Sequence, residues 1–148
     1  MLTSLKVIDH IHTDTKIIDE ISLTYEDRFI RRKKLIANNG TEFLVNLEET
    51  KSVDENYYFK LDSGEVIKVI SKEENLIQIT GDNIKQIIWH IGNRHLPCQI
   101  EESRILIQED SVIKEMIIKL GGNVTNVVEK FKPEGGAYGM GRTHSHQH

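Results

Sequence analysis

The sequence of 148 residues predicts an α+β protein. A small N-terminal β domain is followed by a ferredoxin-like βαββαβ domain and a flexible His-containing C-terminal tail. Three observations carry this. Short β-branched runs separated by turn signals fill the first half. Two amphipathic helical patterns interleave with strands in the second half, in the order of a split βαβ unit. After Phe131 the apolar pattern gives way to a Gly-rich run that ends in His-Ser-His-Gln-His. The expected domains are residues 1–74, 75–134 and 135–148.

The elements follow in order. "HTDTKIIDEISLTY" carries β-branched clusters, and "RRKKLIA" leads through Asn39-Gly40, a hairpin signal, into "TEFLVNL". There Phe43, Val45 and Leu47 alternate with polar residues, as on one face of a half-buried strand. "YYFKLDSGEVIKVI" repeats the theme around Asp62-Ser63-Gly64, and "NLIQIT" is a further strand. In "DNIKQIIWHIGNRH", Ile84, Ile87, Ile88 and Ile91 fall at i, i+3, i+4 and i+7, one face of a helix. Asp82 or Asn83 is its N-cap, and Pro97 ends it or follows its end. "CQIEESRILIQ" gives two strands around Glu102-Ser103. "DSVIKEMIIKLGG" is a second helix, with Val112, Ile113, Met116, Ile117 and Leu120 sharing a face. Asp110 or Ser111 caps its start, and Gly121-Gly122 marks its end. "NVTNVVEKF" is the last strand. Beyond it, Tyr138 is the one candidate anchor in a mobile tail.

Composition narrows the function classes. The chain is 38% apolar and 28% charged with a net charge of −4, the balance of a soluble globular protein. That charge, with a pI near 6.0, argues against a dedicated nucleic-acid binder. No apolar stretch is long enough to cross a bilayer, and the N-terminus lacks the pattern of a signal peptide. Cys98 is the only cysteine, so one chain can form neither an internal disulfide nor a Cys-rich zinc site. A cytoplasmic protein is expected. The main basic cluster, "RFIRRKKL" at 28–35, is either a solvated strand or a docking surface for an acidic partner. Among its residues only Phe29 could stack on RNA bases. No phosphate loop, HExxH, nucleophile elbow or nucleophile–base pair is present, so no catalytic or cofactor-binding residues are expected.

The histidines are the chemical signal. Three of seven, His144, His146 and His148, occupy the last five positions. Neutral imidazole ligates Ni, Cu and Zn, so the tail reads as a metal hook, with an inert or cloning-derived end as the alternative. A flexible tail is a costly site alone, because ordering it costs about 1–2 kcal/mol per residue. A fixed ligand elsewhere would help. His95, eleven residues after Ile84, extends the apolar stripe of the first helix at its end. It is then either a satisfied core histidine or a ligand at an interface, where a two-fold axis would bring two copies together. A tail of this length spans roughly 20 Å, enough to reach such a site. His90, on another face, reads as surface or ordinary packing. His10 and His12 alternate as strand neighbours would, and Cys98 reads as the start of a buried strand.

"WHIGNRHLPCQI", 89–100, together with the His-bearing end, resembles the family of the urease accessory protein UreE, a nickel metallochaperone. Gly92-Asn93-Arg94-His95 is the most specific segment. "FKPEGGAY" resembles the stretch before that family's tail, and "LTYEDRFIRR" with "NNGTEFLVNL" resembles its N-terminal domain more loosely. The resemblance implies an N-terminal domain that contacts partners and a C-terminal domain that binds metal and forms a homodimer. It implies that His95 meets its symmetry mate and binds Ni(II), and that tail histidines, here His144, His146 and His148, complete the site. Nickel would pass to the urease apoprotein with other accessory proteins, among them a GTPase. The chain departs from some members at Gln108-Glu109-Asp110-Ser111, where a His-x-His pair is replaced, and at Glu55-Asn56, where a Gly-Asp turn is replaced.

The expected function is therefore capture and release of nickel by a non-enzyme, with no nucleic acid or membrane partner. Zn(II) and Cu(II) are expected to compete, since imidazole does not exclude them. Binding is expected to weaken as pH falls through about 6.5, because imidazolium cannot ligate. The rivals are an interaction module with an incidental tail and a metal-dependent hydrolase; the latter lacks a general base near the ligands.

Overall fold

The computed structural model describes residues 1–135. The chain divides into two compact units, Met1–Lys72 and Glu73–His148.

The first unit holds β1 (Leu2–Ile8), β2 (Ile17–Leu23), β3 (Phe29–Ile36), β4 (Glu42–Ser52), β5 (Tyr58–Leu61) and β6 (Val66–Ser71). They form one sheet in the order β2-β6-β5-β1-β4-β3. β2–β6 and β1–β4 are parallel pairs, and the other neighbours are antiparallel. Alternation in β4 buries Phe43, Val45 and Leu47, which join Phe59, Leu61, Ile67 and Val69 in one core. Phe43 and Phe59 pack as tilted rings 5.6 Å apart.

The sheet curls until the β3–β4 turn reaches the far edge strand. The Asn38 amide donates to the Glu20 carbonyl at 2.8 Å. The buried carboxylate of Asp19 on β2 accepts from the backbone amides of Asn39 at 3.1 Å and Thr41 at 3.3 Å, and from Asn39 Nδ2 at 3.1 Å. Burial works to raise the Asp19 pKa, but hydrogen bonds from Thr41, Glu20 and Asn39 outweigh it and hold the carboxyl below its usual 3.8. One edge of the sheet is thereby tied down, which limits edge-to-edge pairing there. In the turn before β5, Asn56 takes a left-handed φ of 70°, and Glu55 accepts from the Ser71 amide at 3.0 Å.

One strand of this unit escapes the sequence patterns, and one reading needs correction. β1 has no apolar alternation to read, because its one fully buried side chain is Ser4, whose hydroxyl donates to the Lys6 carbonyl. Arg28 is not part of the exposed basic run. It is 3% exposed, donates to the Leu23 carbonyl at 3.0 Å and lies over the Tyr25 ring.

The second unit runs β7 (Glu73–Thr80), α1 (Ile84–Asn93), β8 (Gln99–Ile100), β9 (Ile105–Gln108), α2 (Ser111–Lys119) and β10 (Asn123–Lys130). Its antiparallel sheet has the order β10-β7-β9-β8, the split βαβ arrangement. One core joins Ile77 and Ile79 of β7, Ile105 and Ile107 of β9, Ile87 and Ile91 of α1, and Ile113 and Ile117 of α2. The mixed α+β fold expected from the sequence is therefore the fold observed.

Both helices show how their ends are set. Asp110 caps α2, its carboxylate accepting from Val112 and Ile113 amides at 2.9 and 3.1 Å. Gly121, at φ 88°, closes α2 in a Schellman turn: its amide reaches Ile118 O and that of Gly122 reaches Ile117 O, both at 3.0 Å. Asn83 precedes α1 without a side-chain cap bond to that helix; its amide group donates instead to Leu120 O, at the end of α2. Val112 was expected in the core, yet it is 74% exposed. α2 packs through Ile113 and Ile117, and Val112 lies one residue, about 100°, off that line.

Candidate metal centre

The sequence motif Gly92-Asn93-Arg94-His95 lies across the end of α1. The helix stops at Asn93, Arg94 is its C-cap, and His95 has φ 56°. The His95 amide donates to Gly92 O at 2.9 Å and the Leu96 amide to Ile91 O at 3.3 Å. Together these make a Schellman turn with His95 at the left-handed position that glycine normally fills. Arg94 Nη1 satisfies a further helix carbonyl, that of His90, at 3.3 Å. Leu96 then packs against the core, and Pro97 fixes the backbone beyond it.

Two expectations about His95 change here. It does not extend the apolar stripe, because the helical period ends before it. Nor is it a core histidine, because it is exposed. The turn fixes its backbone, and the residue is exposed. Among the described residues only His95 and Asn56 combine a side chain with positive φ. That conformation costs roughly 1–2 kcal/mol for an L-residue, although histidine is among the residue types enriched there.

The chain that leads to the tail is hydrogen-bonded to the residues just beyond His95. Phe131 is fully buried. The Lys132 amide donates to Gln99 Oε1 at 2.8 Å, and the Glu134 amide donates to Cys98 O at 2.9 Å. The stem of the tail is therefore pinned three residues from His95. Gln99 is braced in turn: its Nε2 donates to Glu101 at 2.7 Å. Arg104 bonds Glu101 at 3.1 and 3.2 Å and both oxygens of Glu129 at 2.7 Å. The bond from Arg104 lowers the Glu129 pKa against the effect of burial, and the bonds from Glu129 and Glu101 raise that of Arg104. Sequence reasoning missed this brace, since a Gln-to-backbone bond across 33 residues leaves no periodic trace.

The other candidates separate from His95. His90 is half-buried, with its ring edge-on to Trp89 at 5.1 Å, which is ordinary packing. His10 and His12 lie in the loop after β1 and are exposed; they are not strand neighbours. His10 sits 3.2 Å from Asp9. Cys98 is half-buried, and burial, then the charge of Glu134, push its thiol pKa up, which disfavours the thiolate a metal needs. His144, His146, His148 and Tyr138 lie outside the described residues. Among the described residues no three His, Cys, Asp or Glu side chains gather into a metal site. His95 thus offers one imidazole per chain. That donor suits a borderline cation, but a complete site needs ligands from the tail or from a second chain.

Comparison with known proteins matches both units. The family model for the UreE urease accessory protein, N-terminal domain, matches residues 3–71, and that for the C-terminal domain matches residues 74–148. Relatives named urease accessory protein UreE include one from Ruegeria pomeroyi, 50% identical over 130 residues, covering 88% of this chain and 87% of the relative. One from Rhodobacter capsulatus is 47% identical, covering 88% and 83%, and one from Paracoccus denitrificans is 40% identical, covering 84% and 79%. No helix among the described residues is long and apolar enough to cross a membrane. With both domain models matched in chain order and these identities spread over most of both chains, the protein belongs to the UreE family of urease accessory proteins.

Proposed function

We propose that this chain is a homodimeric nickel carrier, not an enzyme, that delivers Ni(II) to the urease apoprotein in concert with other accessory proteins, including a GTPase. His95 from each of two chains forms the fixed part of the site, and His144, His146 and His148 supply the rest. Nickel here is cargo. The observation that carries the reading is the placement of His95: an exposed imidazole on a rigid left-handed turn, with the stem of the His-bearing tail pinned at Cys98 and Gln99. From Glu134, ten residues along the sequence reach His144; fully extended they span about 35 Å at most. That allows the tail's imidazoles to reach His95 of its own chain.

A second copy is supported by chemistry. One imidazole is too few ligands, and two-fold symmetry doubles it without any new residue. Trp89, 64% exposed, and Ile100, 42% exposed, bracket His95 in the sequence and are apolar surface that a second copy would cover. Zn(II) and Cu(II) compete for the same donors, so selectivity rests with partners and availability.

Titration calorimetry with NiCl2 on wild type, His95→Ala and a chain lacking residues 143–148 tests this. The wild type is expected to bind one Ni(II) per two chains. His95→Ala abolishes that binding, and the truncated chain binds more weakly. Unchanged affinity and stoichiometry in His95→Ala would refute the site.

A further inference from the structure

The sequence contains one Asn-Gly pair, Asn39-Gly40, in the turn between β3 and β4. Glycine serves that turn by taking φ 94°. It also leaves its own amide nitrogen open to the preceding carboxamide, since it has no side chain to obstruct the approach. A Cβ added at Gly40 would meet nothing within 4 Å. Asn38, Asn39 and Gly40 are all exposed, so water reaches the pair. Asparagine is a chemically labile residue, and an open Asn-Gly pair is where a chain reacts most readily with itself.

In the folded turn both reacting groups are committed elsewhere. The Gly40 amide donates to Ala37 O at 3.0 Å, and removing its proton would set a negative nitrogen against that oxygen. The Asn39 carboxamide donates through Nδ2 to Asp19 Oδ1 at 3.1 Å. A bond to a carboxylate adds electron density to that nitrogen, which makes Cγ less electrophilic and Nδ2 a poorer leaving group. The flanking backbone is fastened as well. The Asn39 and Thr41 amides donate to Asp19, the Asn38 amide to Glu20 O, and Asn38 Nδ2 to Ser22 Oγ. Ring closure between Gly40 and Asn39 therefore requires the turn to open first.

We propose that Asn39 is a deamidation site shielded by the folded turn, and that conversion there unlatches the turn from β2. In the opened chain the Gly40 amide gives up its proton and its nitrogen attacks Asn39 Cγ. The N–Cγ bond forms, the Cγ–Nδ2 bond breaks, and Nδ2 leaves as ammonia with that proton. Water then opens the succinimide at one carbonyl to give aspartate or at the other to give isoaspartate. Either product carries a new carboxylate, no electrons change hands, and water is the only other reactant. On refolding, that carboxylate faces Asp19, which is 4% exposed. A hydrogen-bond donor has become a like charge, and two carboxylates that close oppose each other's ionisation. The change is written only when the turn opens, and it then keeps the turn from closing. It is a one-way record of unfolding.

The test holds the full wild-type chain at mildly alkaline pH in buffer and in a series of urea concentrations through its unfolding transition. Trypsin releases the peptide Leu35–Lys51, and mass spectrometry follows its gain of about one dalton on conversion. Conversion at Asn39 is expected to run more than about tenfold faster in the unfolded chain and to track the unfolded fraction. Equal rates in both states, or conversion at Asn38 or Asn46 in place of Asn39, would overturn the proposal. Asp19→Ala is expected to quicken conversion in buffer about tenfold, and a folded variant with the wild-type rate would overturn the shielding by Asp19. If that variant fails to fold, the urea series on the wild type carries the test. Asn39→Asp supplies one product directly. Exchange of its Thr41 amide, followed by NMR, is expected to be about tenfold faster than in the wild type, and unchanged exchange would overturn the unlatching. Nickel takes no part in these outcomes.

Discussion

Replacing His95 by glycine and by alanine separates the backbone role of this residue from its proposed role as a ligand. Both changes delete the imidazole, so both are expected to abolish nickel capture to the same degree. Their effects on the fold differ. At φ 56° an alanine keeps the Cβ that clashes in the left-handed region, at a cost of about 1–2 kcal/mol. Glycine removes that clash but loses more chain entropy on folding, about 0.5–1 kcal/mol. The glycine variant should therefore be more stable than the alanine variant by about 0.5–1 kcal/mol. For a domain of this size that is about 2–8 °C in Tm. Thermal unfolding followed by circular dichroism, beside nickel calorimetry, measures both. If the alanine variant is the more stable, the left-handed turn at His95 is wrong. If either variant binds nickel as wild type does, the ligand assignment is wrong and the turn survives.

Three further outcomes follow from particular contacts. Asp19→Asn is expected to destabilise the first unit at pH 7 by about 2 kcal/mol, since it weakens a buried, multiply hydrogen-bonded carboxylate. Because the folded pKa of Asp19 is lowered, its contribution is present above 3.8 and disappears as pH falls through the lower folded value. The gap between wild type and variant in urea titrations should therefore close on strong acidification; a gap independent of pH contradicts the linkage. Gly122→Ala places a Cβ 2.7 Å from both Ile117 Cγ2 and Ile87 Cδ1, and should cost about 1–3 kcal/mol in the same assay. Gln99→Leu removes the acceptor for the Lys132 amide, so exchange of that amide, followed by NMR, should quicken about tenfold. Unchanged exchange would mean that the stem is held by other contacts.

Periodicity made much of this fold legible, and its failures have a common cause. The isoleucines of α1 and the alternation of Phe43, Val45 and Leu47 are local patterns that a buried face imposes. β1 was silent because its inward residue at the centre is a serine that bonds its own strand. Val112 misled because a helix with two close apolar neighbours shows a broader stripe than it buries. The error at His95 was extrapolation. The motif was recognisable, but counting 100° per residue past Asn93 assumed a helix that Pro97 had already made short. A left-handed position is usually announced by glycine or asparagine, and here it carries histidine. The brace through Gln99 and the docking of the β3–β4 turn on Asp19 depend on contacts distant in sequence, which no single pattern records.

The exposed, single imidazole on a stiff turn is best understood through what it lacks. A metal site closed within one chain gathers its full ligand set there and braces each ligand with further hydrogen bonds, as Asp19 is braced here. His95 stands on a stiff turn, and among the described residues no set of three His, Cys, Asp or Glu side chains gathers around a metal position. Under the proposed two-fold arrangement the site exists only in the assembled pair, so its apparent affinity is tied to protomer concentration. Dilution below the dimer's dissociation constant should release nickel, whereas a site within one chain would hold its affinity at any concentration. The same incompleteness suits transfer. Ligands supplied by separate segments can leave one at a time, and each vacated position can be taken by a donor from the recipient. A carrier needs that stepwise exchange, and a site closed within one rigid unit would oppose it.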